Sequence, residues 1–459
     1  MPRMKFGVFL APHHPIGEHP TLQIRRDVDL VEHLDRLGYD EFWCGEHHSG
    51  GWETIGSPEL FLAAAGERTT RIRLGTGVVS LPYHHPFNVA DRITQLDHLT
   101  NGRAMLGVGP GALPSDARML GIDPSTQRDR MDEATGVIQR LLRGETVTYH
   151  CDWFELNEAR LQILPLQEEL PIASASSLSP AGMKIAGKYG VGVISVASNS
   201  AEGLAALPTQ WGFGETYAQE FGQEISRDNW RVLAQWHIAP TREQAFAEVA
   251  EGLKRWHNEY NVDILGRPNA NHTQDGEAMA RAMVNSGAAM FGTPDDAVAK
   301  IKHLREISGG FGTLLGFAHD WADREPMLRS YELFARYVIP RVQGLIDPVQ
   351  KSADIVSENK QELMEGAGQA ILKAIREHNA SHPRQQKSEA IDGGVAAFAG
   401  SNREPLLTGP QGSRPLHWRE ISPPGCRRGI RTQRGTSPHQ RCRAQNRPRG
   451  DRAAGERGR

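Results

Sequence analysis

Cysteine is scarce in this chain: four in 459 residues. Cys44 and Cys151 stand far apart, and Cys426 and Cys442 lie in an arginine-rich tail. That number and spacing do not make a disulfide framework. Long apolar runs are also missing. The longest, at 61–65 and 313–318, are far shorter than the ~20 residues of a membrane-spanning helix. Arg3 and Lys5 lie near the start, but no extended apolar region or small-residue cleavage pattern follows them, so no secretory signal is read. No Gly-x-Gly-x-x-Gly pattern follows the first strand-like segment, which argues against a dinucleotide-binding open sheet. Together these absences point to a reduced, cytoplasmic, soluble protein.

What is present can fill a large core. Hydrophobic residues make up 39% of the chain, and the length suits roughly two or three average domains or one large barrel. The net charge of −3 is unevenly spread. Residues 426–459 hold eleven arginines and two acids, a local charge of +9, so the rest of the chain carries −12. An acidic body does not suit nucleic acid.

Strand-like and helix-like segments alternate along the chain. Residues 5–10 are β-rich and stop before Pro12. Residues 22–37 place Ile24, Val28, Val31, Leu34 and Leu37 at helical spacing and close on Gly38. Further strands are expected at 41–44, 72–81, 104–109, 171–176, 191–196, 230–239 and 312–318. Helices are expected at 58–68, 86–99, 131–142, 180–189, 242–260 and 324–342. Alternation of this kind implies a parallel sheet, and eight such strands over ~340 residues imply an α/β, TIM-type (β/α)8 barrel with insertions. The long insertions are 113–130 and 266–291. Residues 1–345 form the expected barrel and 346–380 a C-terminal helical extension. Residues 381–459 form an Arg/Gly/Pro-rich tail, expected to be disordered because it lacks the apolar surface to offset chain entropy.

In such a barrel, reactive groups gather just past the strands. There the chain carries His13-His14, Glu46-His47-His48, His84-His85, Gly109-Pro110-Gly111 and the Ser-rich run 174–179. Three histidine pairs raise the question of a metal. Adjacent residues on extended backbone point opposite ways, however, and no i, i+4 histidine pair or ligand-spaced carboxylate accompanies them, so no metal is expected. Most are expected to be hydrogen-bonded rim residues, with one free for acid/base work. The Ser-rich run entering a helix at Pro180 reads equally as a phosphate cradle or as ordinary capping by Ser179.

Several segments resemble the bacterial-luciferase-like flavin-dependent monooxygenases. They are Met4-Lys5-Phe6-Gly7-Val8-Phe9-Leu10, Leu37-Gly38-Tyr39-Asp40-Glu41-Phe42-Trp43, Glu46-His47-His48 and Leu74-Gly75-Thr76-Gly77-Val78. Leu81-Pro82, His85-Pro86, Asp97-His98-Leu99-Thr100-Asn101-Gly102-Arg103 and Gly292-Thr293-Pro294 continue the match in step. The similarity covers roughly residues 4–345. Gly316-Phe317-Ala318-His319-Asp320-Trp321-Ala322 is most similar to the limonene 1,2-monooxygenase-like members.

The resemblance implies reduced FMN delivered by a separate NAD(P)H-dependent flavin reductase, reaction with O2, and oxygenation of a small apolar substrate such as a monoterpene. It implies His47 as the catalytic histidine and a cis peptide at Gly77-Val78 under the flavin. Gly109 falls where luciferase has a reactive cysteine, Pro110 where it has a phosphate-binding arginine, and Leu178 where it has a glutamate. Those luciferase contacts are therefore not carried over, whereas Ser179 matches a phosphate-site serine. The expected flavin-contacting set is Gly77, Val78, Gly109, Ser176, Leu178 and Ser179. No membrane or nucleic-acid partner is expected, and homo-oligomerisation stays open. Two other readings also stay open: a deazaflavin-dependent oxidoreductase on the same barrel, and a non-catalytic flavin-binding protein.

The basic run at 426–459 has no lysine, no aromatic follows Trp418, and no periodicity is visible. A high-GC coding region read in a shifted frame has this composition, and a nucleic-acid arm would need interleaved aromatics or amphipathic spacing. Truncation after His378 is therefore expected to leave the melting temperature and solubility unchanged. Loss of either on truncation would show that the tail belongs to the working protein.

Overall fold

The computed structural model describes residues 3–177, 179–267 and 270–382. In chain order their strands are β1 (Lys5–Leu10), β2 (Glu41–Cys44), β3 (Arg73–Thr76), β4 (Val79–Ser80), β5 (Ala104–Gly109) and β6 (Val147–His150). They continue with β7 (Glu155–Ala159), β8 (Ile172–Ser176), β9 (Gly192–Ser195), β10 (Trp230–Ile238), β11 (Ala289–Gly292) and β12 (Thr313–Ala318). β1 pairs with β2, β2 with β3, β3 with β5, β5 with β8, β8 with β9, β9 with β10, β10 with β12, and β12 with β1. Every pairing is parallel, so the sheet closes on itself as the expected eight-stranded barrel. β4 continues the third strand and pairs with β5.

Side chains alternate across each strand. Phe9, Trp43, Met105, Ala173, Ile194, Leu233 and Leu315 pack together inside the ring. Val8, Phe42, Leu74, Leu106, Val108 and Val193 belong to a second cluster, shared with the surrounding helices. Trp43 fills the interior only because Gly75 lacks a side chain: a Cβ there would lie 2.4 Å from the indole. The solid interior leaves the C-terminal rim of the strands as the place for a ligand.

Several features were not expected, among them the helices Pro114–Met119 and Pro294–Ser308. β6 and β7 form an antiparallel hairpin before β8. The helix Ala201–Phe221 follows β9 despite Pro208 inside it and two glycines near its middle. Local propensity disfavours that helix, but Trp211 stacks on Trp230 at 4.6 Å and anchors it. The insertion at 266–291 is not a loop. It holds the helix Gly276–Asn285 and leads into β11, which pairs with the C-terminal half of β10. The helix expected at 242–260 is α-helical over Arg242–Arg255 and continues as a π-type turn over Trp256–Ile264. Beyond the barrel, the helices Asp347–Glu358 and Lys360–Ser381 are mostly exposed. The tail from 383 lies outside the described residues. Among the described residues no helix is long and apolar enough to cross a membrane.

Near the N-terminal ends of the strands, one buried ion pair crosses the interior. Arg231 Nε donates to Glu41 Oε2 at 2.7 Å and Nη2 to Oε1 at 3.0 Å. Trp43 Nε1 also donates to Oε2 at 3.0 Å, and the guanidinium lies 4.9 Å from the Trp43 ring. Burial alone would raise the Glu41 carboxyl, but the Arg231 charge outweighs it and holds the group below its usual range. Arg231→Met would leave that carboxylate buried and unpaired. The expected cost is about 3–5 kcal/mol, measured by chemical denaturation. The double variant Arg231→Met with Glu41→Gln should recover part of it.

Candidate active site

The C-terminal ends of the strands open into a cavity of about 640 Å³. Its floor is apolar: Phe9 from β1, Val78 after β3, Ala175 from β8, Leu233 from β10 and Phe317 from β12 all line it. The Gly77–Val78 peptide is cis, and both residues face the cavity. Gly109 does not line it. A Cβ there would sit 2.4 Å from Val78 Cγ2, so Gly109 makes room for Val78 from behind.

The expected serines divide by strand alternation. Ala175 points into the cavity, so Ser176 points into the wall, fully buried, with no hydrogen-bond partner for its Oγ among the described residues. Ser177 and Ser179 line the cavity instead. Leu178 lies outside the described residues. Ser179 is not a cap: the helix Ala181–Tyr189 starts from Pro180 with no side-chain cap bond.

The polar wall centres on His47. Its Nδ1 lies 3.1 Å from Asp116 Oδ2, and its Nε2 lies 3.1 Å from Glu53 Oε2. Glu53 Oε1 also meets His13 Nε2 at 3.1 Å and accepts a hydrogen bond from the Tyr260 hydroxyl. Burial opposes a charged His47, yet Glu53 and Asp116 outweigh it and raise the imidazole above its usual value. Burial likewise opposes an ionised Glu53, and the two histidines overcome it, holding the carboxyl down at about 2.

The other histidines have other tasks. His14 bridges Asp27 at 2.8 Å and Asp320 at 2.9 Å. His48 and His84 both approach Glu46 Oε1, at 2.8 and 2.6 Å, while Ser80 N donates to Oε2 at 2.7 Å. These three side chains lie close enough to surround a cation, but both imidazoles are turned onto one carboxylate oxygen, and the set is assigned as a hydrogen-bonded cluster. His85 caps the helix Pro86–Leu99, accepting from Phe87 N at 3.3 Å. Of the six rim histidines, His13 and His47 line the cavity.

Reading the sequence missed Glu53, Asp116, Tyr260, Arg128 and Arg267, all at or around the cavity. Glu53 follows a Gly-Gly-Trp turn, and the others sit in or beside the insertions, where no periodic pattern marks them. A usable signal existed in His319-Asp320. His319 stacks on His13 with ring centroids 4.5 Å apart, and Asp320 holds His14. Arg128 lines the cavity close to Pro110, whose carbonyl accepts from the neighbouring Gln127 Nε2 at 2.9 Å. No ion pair engages Arg128 among the described residues.

The sequence profile of the luciferase-like monooxygenases matches residues 4–309. A 4-hydroxyprotoasukamycin monooxygenase of Streptomyces nodosus subsp. asukaensis is 49% identical over 362 residues, covering 78% of this chain and 97% of that protein. Limonene 1,2-monooxygenase of Rhodococcus erythropolis is 47% identical over 346 residues, 75% of this chain and 88% of that one. Among solved structures, the oxygenating constituent of 3,6-diketocamphane monooxygenase from Pseudomonas putida, a type II Baeyer-Villiger monooxygenase in complex with FMN, matches with a TM-score of 0.62. The match has 25% identity and covers 74% of this chain and 98% of that one.

Proposed function

The chain belongs to the luciferase-like monooxygenase family, and from that premise we propose that it uses reduced FMN and O2 to oxygenate a small apolar substrate, with a monoterpene alkene such as limonene as the first candidate. A separate NAD(P)H-dependent reductase supplies the reduced flavin. The observation that carries this reading is the cavity itself, an apolar floor facing a wall of hydrogen-bonded histidines and carboxylates.

The donor set fits FMN. The flat ring needs apolar faces, and Val78, Phe9, Ala175 and Phe317 offer them. The phosphate needs donors and positive charge. Ser177, Ser179 and Arg128, which has no ion-pair partner among the described residues, line the same cavity, where the adjacent strands β5 and β8 end. Bound there, the reduced flavin supplies the electrons that activate O2. The protein's share is to orient the ring, exclude water and hold a proton at the His47 imidazole. The relatives that act on limonene and on 3,6-diketocamphane support an apolar substrate, as does the floor.

The test is turnover with an added FMN reductase and a panel of monoterpenes, read by product mass as the gain of one oxygen atom. Absence of any oxygenated product, with flavin bound, would favour a non-catalytic flavin-binding protein. In the same assay His47→Ala is expected to bind flavin normally but lose about a hundredfold in coupled product, releasing peroxide instead. Wild-type coupling in that variant would sink the role.

The phosphate end is tested by binding alone. Ser179→Ala and Arg128→Ala should each weaken FMN about tenfold or more, the scale of one charge-assisted hydrogen bond, and leave riboflavin affinity unchanged. Equal losses for both ligands would refute the assignment.

A further inference from the structure

His47 stands between two carboxylates. Neutral imidazole has one N–H and one lone pair. At His47 both ring nitrogens face carboxylate oxygens at 3.1 Å. A lone pair aimed at either oxygen would be repulsive, so only the doubly protonated ring satisfies both contacts. The side chains of Glu53 and Asp116 are 5% and 1% exposed, so water screens neither contact well.

Glu53 is built into this position. His13 and Glu53 form an antiparallel backbone bridge, and His14 N donates to the Trp52 carbonyl at 2.8 Å. That bridge ties the segment after β2 to the end of β1. The Glu53 carboxylate then joins three parts of the chain: His13, His47, and Tyr260 from the π-type turn. His13 Nδ1 faces His319 Nδ1 at 3.1 Å. Burial holds His319 below the usual imidazole range, and His13 stands between that ring and the Glu53 carboxylate.

We propose that Glu53 is a positioning residue that fixes His47 as a doubly donating imidazolium, so that His47 acts in the cavity as a fixed cation and not as a base. This rests on the reading of the cavity as a monooxygenase site. A fixed positive charge on the wall stabilises negative charge that develops as electrons pass to O2. Holding that charge on a buried ring requires a permanent anion against it, and Glu53 is the anion that joins His47 to Tyr260 of the π-type turn. The charged and titratable groups facing His47 are Glu46 and His48 on its own segment, Glu53 and His13 beside it, and Asp116 from the helix Pro114–Met119. Tyr260 from the π-type turn, Arg267 from the insertion after it and His319 after β12 complete the surroundings.

The direction with pH follows. The folded His47 holds its proton more tightly than an unfolded one, whose pKa is about 6.5. Its contribution to stability is complete below that value and is lost as pH rises through the higher folded value. Glu53 behaves in the opposite sense: its contribution is present above about 4.3, the unfolded value, and fades as pH falls towards about 2.

The experiment is a histidine NMR titration of the full chain labelled at the imidazole Cε1, with His47 assigned by its absence in His47→Gln. Wild-type His47 should titrate above the ordinary imidazole value of about 6.5. Glu53→Gln should lower its midpoint by about one pH unit or more, a tenfold loss of proton affinity. The alkaline limb of the kcat profile should fall in parallel, with FMN affinity kept within about twofold of wild type, well under the tenfold that one lost hydrogen bond would give. A wild-type midpoint at or below 6.5 overturns the proposal, as does an unshifted midpoint in Glu53→Gln. Should Glu53→Gln not fold, Glu53→Asp withdraws the carboxylate by one methylene and must move the midpoint the same way, and an unshifted midpoint there is equally fatal. The titration needs no substrate. A chain that titrates as stated but oxygenates nothing would refute the monooxygenase reading and leave the clamp standing.

Discussion

A closed ring of parallel strands leaves each strand side chain two directions, inward or out to the helices. In this protein the inward direction is blocked along most of its length by Trp43, Met105, Ile194, Leu233 and Leu315. It becomes available to a ligand only at the C-terminal rim. The chemistry therefore falls to the last residues of the strands and the segments that follow them. The same alternation decides single residues. It puts Ala175 into the cavity and Ser176 into the wall, so that within the Ser-rich run the serines able to meet a ligand are Ser177 and Ser179, past the end of β8.

Two buried carboxylates mark the two ends of this interior, and their partners differ. Glu41 at the closed end is met by Arg231, whose guanidinium holds the carboxyl below its usual range. Glu53 at the open end is met by His13, His47 and Tyr260, whose proton positions respond to surroundings. The desolvation cost is similar in kind at both ends. At the closed end it is offset by a fixed charge and serves the core. At the open end it is offset by groups that titrate, and it sets the state of an imidazole on the cavity wall.

The insertions belong to the site as much as the barrel does. Asp116 comes from the segment between β5 and the helix Gln127–Leu142, and Arg128 from the start of that helix. Tyr260 comes from the π-type turn after β10. Asp116 reaches His47 and Tyr260 reaches Glu53, both in the segment after β2, so the cavity wall is assembled from loops that share no sequence neighbourhood. The pairing of β11 with the far half of β10 anchors one of these insertions to the barrel.

The sequence alone determined the eight strands, their order and the parallel closure, because alternation and helical spacing are properties of neighbouring residues. It also determined the family resemblance, and with it the expectations for His47 and for the Gly77–Val78 peptide, because those motifs are contiguous. Tertiary structure alone decided that Ser177, not Ser176, faces the cavity, and that Gly109 serves Val78 from behind. It decided that the helix Ala201–Phe221 forms around Pro208, through the stacking of Trp211 on Trp230. It also decided the partners of His47. Asp116 lies 69 residues away in the chain, and the Tyr260 that braces Glu53 lies 207 residues from it. No local pattern encodes such contacts. They exist because barrel closure brings separate loops to one rim, and the protonation of a buried imidazole depends on what that closure places against each of its nitrogens.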